Sequence, residues 1–388
     1  MKRYFGILLF GLAVVFSAVA QSPIRVEVRN QYFDVVSDGG SYDAETLCRE
    51  LELRFEVYNR LFRFNANDLT EPLRVVAFAD KTAYDNYVAT KLEGVTRPGA
   101  VYLHYNQVER RELVVHRGSE DEARMLPHQA FIQYLRAFIP YPPTWMREGF
   151  AIYFNTLRFD KESRELRYEE NLAWLETVKN LGKGHPSLES VFLAELKGQP
   201  EYFQATSWAL VSFFLNSGGN GEYFRTLTES FMLLSATKSG GENAQSVLER
   251  LTSWTDLETM RRDYDSYIDS RKTFAELVDL GQKSYTGKQL GEAEQYFLAA
   301  LYQKPTHYAP YYYLGLLSYE DKNYDMAERY YRSALTYGAD SPLVNYALGI
   351  NAATAGRNSE AITYLQEAAN QSPERYKDRA EQIIIRLK

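Results

Sequence analysis

The first third of the chain alternates between apolar and polar side chains with the two periods that distinguish strands from helices. Residues 24–36 alternate with a period of two, which is typical of strands with one buried face. Residues 42–64 instead repeat apolar side chains every three to four positions, which predicts a helix packed on that sheet. The pattern up to residue 116 predicts strands at 24–36, 73–78, 100–105 and 112–116 and helices at 42–64 and 81–91.

Helical spacing dominates the rest of the chain. Two predicted helices within 125–154 are separated by Pro140, Pro142 and Pro143, because proline cannot continue a helix. Beyond residue 154 the pattern predicts helices only, and those before residue 271 lie at 169–180, 202–216, 223–234, 243–251 and 256–270. The sequence therefore predicts an α+β N-terminal part followed by an all-α C-terminal part.

The stretch at 125–154, MLPHQAFIQYLRAFIPYPPTWMREGFAIYF, carries the candidate chemistry. It resembles the active-site helix pair of gluzincin-type zinc metallopeptidases, specifically the peptidase-MA-like group, in which HExxH precedes a P-x-W-x-x-E-G-x-A-x-Y helix. His128 stands where the first zinc-ligand histidine would be. The second helix matches the motif at Trp145, Glu148, Gly149, Ala151 and Tyr153. The resemblance covers about residues 24–270 and implies a zincin-like α+β domain (residues 21–160) with a helical subdomain (residues 161–270).

Two positions depart from this motif. The position of the general-base glutamate holds Gln129, and that of the second histidine holds Ile132. In HExxH the histidines bind the metal and the glutamate takes a proton from the bound water. The Gln129 amide cannot take up that proton, and Ile132 offers no ligand atom. A catalytic zinc needs three protein ligands, and the motif here retains only two, His128 and Glu148. We therefore predict an inactive metallopeptidase fold with no metal, no cofactor and no catalytic residue, in which these four positions are vestigial.

Three alternatives stay open for this stretch. A lone histidine on an apolar helix is more often a packed, hydrogen-bonded residue than a ligand, so His128 can be structural. An active metal-dependent peptidase would need a non-standard third ligand, for which His104 and His116 on the neighbouring strands are candidates, and another carboxylate near Gln129. The cleft can also bind a peptide without cutting it.

From residue 271 the sequence repeats with a period of 34. The repeated positions are Gly281, Gly315 and Gly349; Ala293, Ala327 and Ala361; Ala300, Ala334 and Ala368; and the large side chains Phe297, Tyr331 and Leu365. This pattern resembles the tetratricopeptide repeat, in which small residues let two helices touch and a large residue fills the gap beside them. We predict that residues 271–388 form three such repeats, with a capping helix at 376–387.

The register of these repeats predicts a concave groove. Five side chains of the second and third repeats should face it: Tyr312, Leu316, Tyr319, Tyr346 and Ile350. The Lys, Arg and Asn side chains that hold a partner's terminal carboxylate in some domains of this kind are missing at these positions. We therefore expect a groove for an extended peptide or an amphipathic helix. The alternative is that these side chains pack against the N-terminal domain or are covered by the capping helix.

The composition and the first twenty residues restrict the range of possible functions. A length of 388 residues with 45% apolar side chains is typical of two or three globular domains, and a net charge of −7 argues against nucleic acid or anionic lipid as the main partner. Residues 1–20 read as a secretory signal cut after Ala20, which predicts a periplasmic or otherwise exported protein without stable membrane insertion. Cys48 is the single cysteine, so no intramolecular disulfide can form. Together these features predict an exported, non-catalytic scaffold protein whose protein or peptide partner binds in the repeat groove.

Overall fold

A computed structural model describes residues 25–92, 98–160, 162–163, 165–168, 172–181, 186–193, 200–217 and 221–388. The predicted signal peptide at 1–20 lies outside these ranges. Two compact units can be distinguished. The first contains the described residues of Met1–Glu169, Phe192–Glu195 and Arg225–Leu251, and the second those of Glu170–Val191, Leu196–Phe224 and Thr252–Lys388. The predicted order of an α+β part followed by an all-α part is confirmed. The domain boundaries at 160 and 270 stay predictions.

A five-stranded sheet lies in the first unit. Its strands are β1 Val26–Arg29, β2 Phe33–Ser37, β3 Leu73–Phe78, β4 Ala100–Leu103 and β5 Glu112–His116. Their spatial order is β1-β2-β3-β5-β4, in which β2, β3 and β5 are parallel and the two outer strands are antiparallel to their neighbours. The central strands β3 and β5 are buried along almost their whole length, as expected inside a parallel sheet. Strand β4 is therefore an edge strand.

Four helices accompany this sheet: α1 Ser41–Phe62, α2 Lys81–Ala89, α3 Glu122–Phe138 and α4 Thr144–Phe154. Helix α2 packs on β3 and β5 through Tyr84 and Val88, which join a buried cluster with Val76 and Phe78. Helices α1, α3 and α4 meet through a layer of buried aromatic rings: Tyr58, Phe62, Phe131, Tyr134, Phe150 and Phe154. This layer fixes α3 and α4 against each other, and the proline-rich break between them lies where the sequence predicts it.

A two-stranded hairpin, β6 Leu157–Asp160 and β7 Glu165–Tyr168, follows α4. The prediction of helices only after residue 154 is wrong here. Strands of four residues are too short for an alternating pattern to stand out, and tertiary contacts decide their conformation. Buried Arg54 of α1 donates to the Leu157 carbonyl at 3.2 Å and to Glu50 Oε1 at 2.6 Å. The hairpin is thus anchored to α1 by hydrogen bonds from Arg54, whose charge is balanced within α1 by Glu50.

A proline inside α3 depends on the same hairpin. Pro127 has no N–H to donate to the carbonyl of Ala123, one turn earlier in the helix. Arg158 of β6 donates to that carbonyl instead, over 3.1 Å. A side chain from the hairpin therefore satisfies an acceptor that the helix itself leaves open.

The next helices are α5 Leu172–Asn180, α6 Leu188–Leu193, α7 Pro200–Asn216, α8 Glu222–Phe231, α9 Gly240–Leu251 and α10 Leu257–Ser270. In the first unit, Asn243 of α9 donates to the carbonyl of Tyr141 at 3.0 Å and so holds the loop before α4. In the second unit, α10 packs on α7, where the hydroxyls of Ser212 and Tyr267 lie 2.8 Å apart. Helix α6, with six residues, was not predicted because it spans less than two turns.

The C-terminal region is an array of consecutive antiparallel helices: α11 Phe274–Thr286, α12 Leu290–Gln303, α13 Tyr308–Glu320, α14 Tyr324–Thr336, α15 Ser341–Thr354, α16 Asn358–Gln371 and α17 Pro373–Leu387. The close contacts predicted from the 34-residue period are present in all three helix pairs. A Cβ added to Gly281, Gly315 or Gly349 would lie 2.7, 2.5 or 2.6 Å from atoms of Phe297, Tyr331 or Leu365. Helix α17 closes the array by burying Ala380 and Ile384 next to Leu365.

Candidate functional site

Helices α3 and α4 bring together the two potential ligands that remain from the motif. The Nε2 atom of His128 lies 3.9 Å from Oε2 of Glu148, and their side chains are 15% and 9% exposed. Burial lowers the pKa of His128, although the nearby Glu148 carboxylate opposes that effect. The second oxygen of Glu148 is occupied, since Arg147 Nε donates to Oε1 at 2.8 Å. Glu148 is therefore already the partner of a positive charge.

The two substituted positions have definite structural roles. Oε1 of Gln129 accepts the backbone N–H of Tyr102 at 3.0 Å, which links α3 to the edge strand β4. A glutamine in this position acts as a neutral acceptor, whereas a general base must take a proton from water. Ile132 lies one turn after His128, half-buried on the same side of α3. Neither side chain offers the chemistry that its motif position requires.

The positions of potential donor side chains show whether the described residues could bind a metal ion. Within the described ranges, no group of three or more His, Cys, Asp or Glu side chains could hold a metal ion. His104 therefore does not complete such a group with His128 and Glu148. His116 does not complete it either, and its ring stacks on Tyr84 with centroids 5.3 Å apart. The described residues thus offer His128 and Glu148 but no third donor for a catalytic zinc.

The positive charges of three arginines act on His104, and we call Arg111, Arg136, Arg147 and His104 the basic cluster. Arg136 lies on α3, Arg147 on α4, and Arg111 immediately before β5. Burial, followed by the positive charges of Arg136, Arg111 and Arg147, lowers the pKa of His104 to about 4. Burial also lowers the pKa of Arg136, and the like charge of Arg147 adds to that effect. These groups are thus close enough to repel one another.

The hydrogen-bond partners of the basic cluster are few. Arg111 Nε donates to the carbonyl of Tyr105 at 2.7 Å, and Arg147 pairs with Glu148. Among the residues that the structure describes, Arg136 forms no hydrogen bond or ion pair, and its Nε is buried. Nε2 of His104 is likewise buried without a partner in the described part of the chain. The cluster therefore combines excess positive charge with unused donors.

The sequence reading missed the basic cluster, although part of the signal was present. Arg136 follows Ile132 by four residues and His128 by eight, which places all three on one face of α3. Arg147 is adjacent to Glu148 in the motif. Helical spacing alone could have identified these two arginines. The third, Arg111, could not be found in this way, because its position depends on how β5 and β4 pair.

The side chains predicted to line the repeat groove all lie on α13 and α15, and all are half-buried. Tyr312, Leu316 and Tyr319 pack beside the buried cluster around Tyr331. Tyr346 stacks on Tyr376 of α17 with ring centroids 5.0 Å apart. The capping helix therefore covers part of the third repeat's aromatic surface.

Comparisons with known proteins leave the chain unassigned. No model of a known protein family matches it. A search of curated proteins finds no match. Within the part of the chain described above, no helix has both the length and the apolar character that a membrane crossing requires.

Proposed function

We propose that this chain is a non-catalytic protein-binding scaffold. It consists of a degenerate gluzincin-type, peptidase-MA-like domain followed by three tetratricopeptide repeats. The observation that supports the loss of catalysis most strongly is the state of Gln129, whose side-chain oxygen is bonded to the Tyr102 N–H at 3.0 Å. The position of the general base thus serves to hold a helix on a strand. With Gln129 and Ile132 at these two motif positions, the described residues supply neither the motif's base nor a third metal ligand.

The repeat array supports the binding part of the proposal. Its three glycine contacts recur with the period of a tetratricopeptide repeat, and the aromatic side chains at Tyr312 and Tyr319 are half-buried rather than covered. Half-buried aromatic side chains on stacked helices suit a partner peptide, because ring area contributes much of the affinity at such surfaces. The partner is a protein segment that is extended or forms an amphipathic helix.

Metal analysis and a peptidase assay test the absence of catalysis. Purified protein should contain far less than one zinc per chain. It should also leave a mixed peptide substrate uncut, with the same result in the presence and absence of a chelator. One tightly bound zinc together with chelator-sensitive cleavage would instead establish the active peptidase with a non-standard ligand set.

A pair of substitutions in the array tests the groove. Leu316→Glu places a charge on the predicted concave side, whereas Tyr302→Glu changes a residue of α12 that is 89% exposed. Affinity capture with the full chain, read by mass spectrometry, should show a partner that Leu316→Glu loses and Tyr302→Glu retains. Equal retention by both variants would contradict a groove-bound partner.

Export belongs to the same proposal and has its own test. Residues 1–20 have the pattern of a cleavable signal, and the proposed mature chain begins at Gln21. N-terminal sequencing of the protein recovered from a periplasmic fraction should start at Gln21. Recovery of uncut protein from the cytoplasm would contradict export.

A further inference from the structure

Arg136 is a half-buried cation for which the described residues provide no partner. Its Nε is buried, and the guanidinium has neither a hydrogen-bond acceptor nor a carboxylate partner among the described residues. A charge removed from water without a partner destabilises the folded protein, which is why buried charges are nearly always paired. Where natural sequences keep such a costly arrangement, a functional site is the usual reason.

The surroundings of Arg136 make its charge more costly. The positive charges of Arg147 and Arg111 both act on Arg136, and the Glu148 carboxylate that opposes them is already bonded to Arg147. The basic cluster thus contains three guanidinium groups and no carboxylate of its own, in a chain whose net charge is −7. A negatively charged ligand would supply the partner that the described residues do not provide for Arg136.

We propose that the basic cluster binds the free C-terminal carboxylate of a peptide. The planar guanidinium of Arg136 offers parallel N–H donors that match a carboxylate in a two-point contact. Arg111 contributes a second positive charge beside it.

Two apolar side chains near the cluster favour a peptide over a small inorganic anion. Ile132 lies one helical turn before Arg136, and the ring of Tyr141 meets that of His104 edge-on with centroids 6.4 Å apart. Tyr141 is 49% exposed, so its ring is accessible from outside the cleft. The carboxylate of an apolar C-terminal residue can contact the arginines while its side chain contacts an apolar group such as Ile132 or Tyr141. Glu148 also disfavours a dianion such as phosphate more strongly than a monoanion.

This inference goes beyond the proposed function, which places the partner in the repeat groove, and rests on it only for the absence of catalysis between α3 and α4. The two can fail separately. Cleavage of a bound peptide would overturn the proposed absence of catalysis, while the preference for a free carboxylate would still stand. Absence of binding would overturn the cleft proposal and leave the repeat groove unaffected.

The test uses the full mature chain and a pool of N-acetylated tripeptides with randomised side chains, prepared once as free acids and once as C-terminal amides. Retention on immobilised protein is read by mass spectrometry, and dissociation constants are then measured for the retained peptides. We expect acids to be retained and amides to bind at least tenfold more weakly. Arg136→Gln should weaken acid binding by at least tenfold, about 1.4 kcal/mol, without changing amide binding.

The matched control is Arg49→Gln. Arg49 is an exposed arginine of α1 in the same unit, paired with Glu52 at 2.7 Å and outside the cleft. This variant should bind acids like the wild type. Without ligand, Arg136→Gln should melt at a higher temperature than the wild type, because a charge without a partner among the described residues is removed. Such a melt would also show that the variant folds. Equal retention of acids and amides, no retention of either, or competition by inorganic phosphate as strong as that by the peptide acids would each overturn the proposal.

Discussion

The closest helix contact in the repeat array gives a quantitative test of how the array is built. Gly315 on α13 faces the ring of Tyr331 on α14, and a Cβ at this glycine would lie 2.5 Å from Cε1 and 2.6 Å from Cδ1. Carbon atoms in comfortable contact are about 3.5–4.0 Å apart, so Gly315→Ala requires a movement of about 1 Å. The ring of Tyr331 is only 1% exposed and cannot turn out into solvent.

The expected cost follows from two opposing effects. Overpacking a buried contact typically destabilises a protein by about 1–3 kcal/mol. Replacing glycine by alanine inside a helix stabilises it by about 1 kcal/mol. Because the contact at Gly315 is so short, we place the overpacking cost in the upper part of its range and expect a net loss of about 1–2 kcal/mol in local stability.

Gly291 provides the matched control. It lies at the start of α12 in the neighbouring repeat, is exposed, and has no atom within 4 Å of an added Cβ. Gly291→Ala should therefore leave the array as stable as before or stabilise it by up to about 1 kcal/mol. The two variants make the same chemical change and differ only in the space available.

Native-state hydrogen exchange is the appropriate assay, because a chain of several units is not expected to unfold in one step. A loss of 1.4 kcal/mol corresponds to tenfold faster exchange, so the protected amides of α13 and α14 should exchange roughly tenfold faster in Gly315→Ala. Adding Tyr331→Ala should make the Gly315→Ala change less costly, since the clashing ring is then gone. Unchanged exchange in Gly315→Ala would refute the close contact.

Three further predictions concern the first unit. Glu50→Ala should destabilise it by roughly 3–5 kcal/mol in thermal unfolding, because buried Arg54 loses its carboxylate; Glu50→Gln, which keeps an acceptor, should cost less. Burial and nearby arginines hold the pKa of His104 at about 4, so the unfolded chain takes up an extra proton as the pH falls from about 6.5 to 4. The wild type should lose on the order of 1–2 kcal/mol of stability across that window after allowance for solvent screening. Thermal melts at pH 8 and pH 4.5 should show that His104→Gln loses less stability between these two pH values than the wild type. The double change Gln129→Glu with Ile132→His supplies the general base and the second histidine of HExxH and should increase zinc uptake, measured by metal analysis; no increase would show that restoring these two positions is not sufficient for a zinc site.

Much of the sheet could be predicted because its signals are local. Strands β3 and β5 have the predicted bounds, since each is a short run of buried β-branched and apolar residues. The hairpin of β6 and β7 could not be predicted in the same way. Its position depends on Arg54 reaching the Leu157 carbonyl across more than a hundred residues, and no local pattern records that contact.

The candidate site was predictable only in part. The resemblance to a metallopeptidase helix pair implied that His128 and Glu148 lie together, and the structure brings them to 3.9 Å. The motif could not show that Gln129 bonds to Tyr102, because that contact requires knowing that β4 lies at the sheet edge beside α3. The charge excess around Arg136 was missed for a similar reason, since Arg111 reaches the cluster through strand pairing.

The bond between Gln129 and Tyr102 also bears on how the protein avoids aggregation. An outermost strand offers free N–H and C=O groups to any other extended chain, and natural proteins block such strands to prevent intermolecular pairing. Strand β4 is four residues long, and the amide of Tyr102 within it is already bonded to a helix side chain. The Gln129 side chain thus also shields this edge of the sheet from unwanted strand addition.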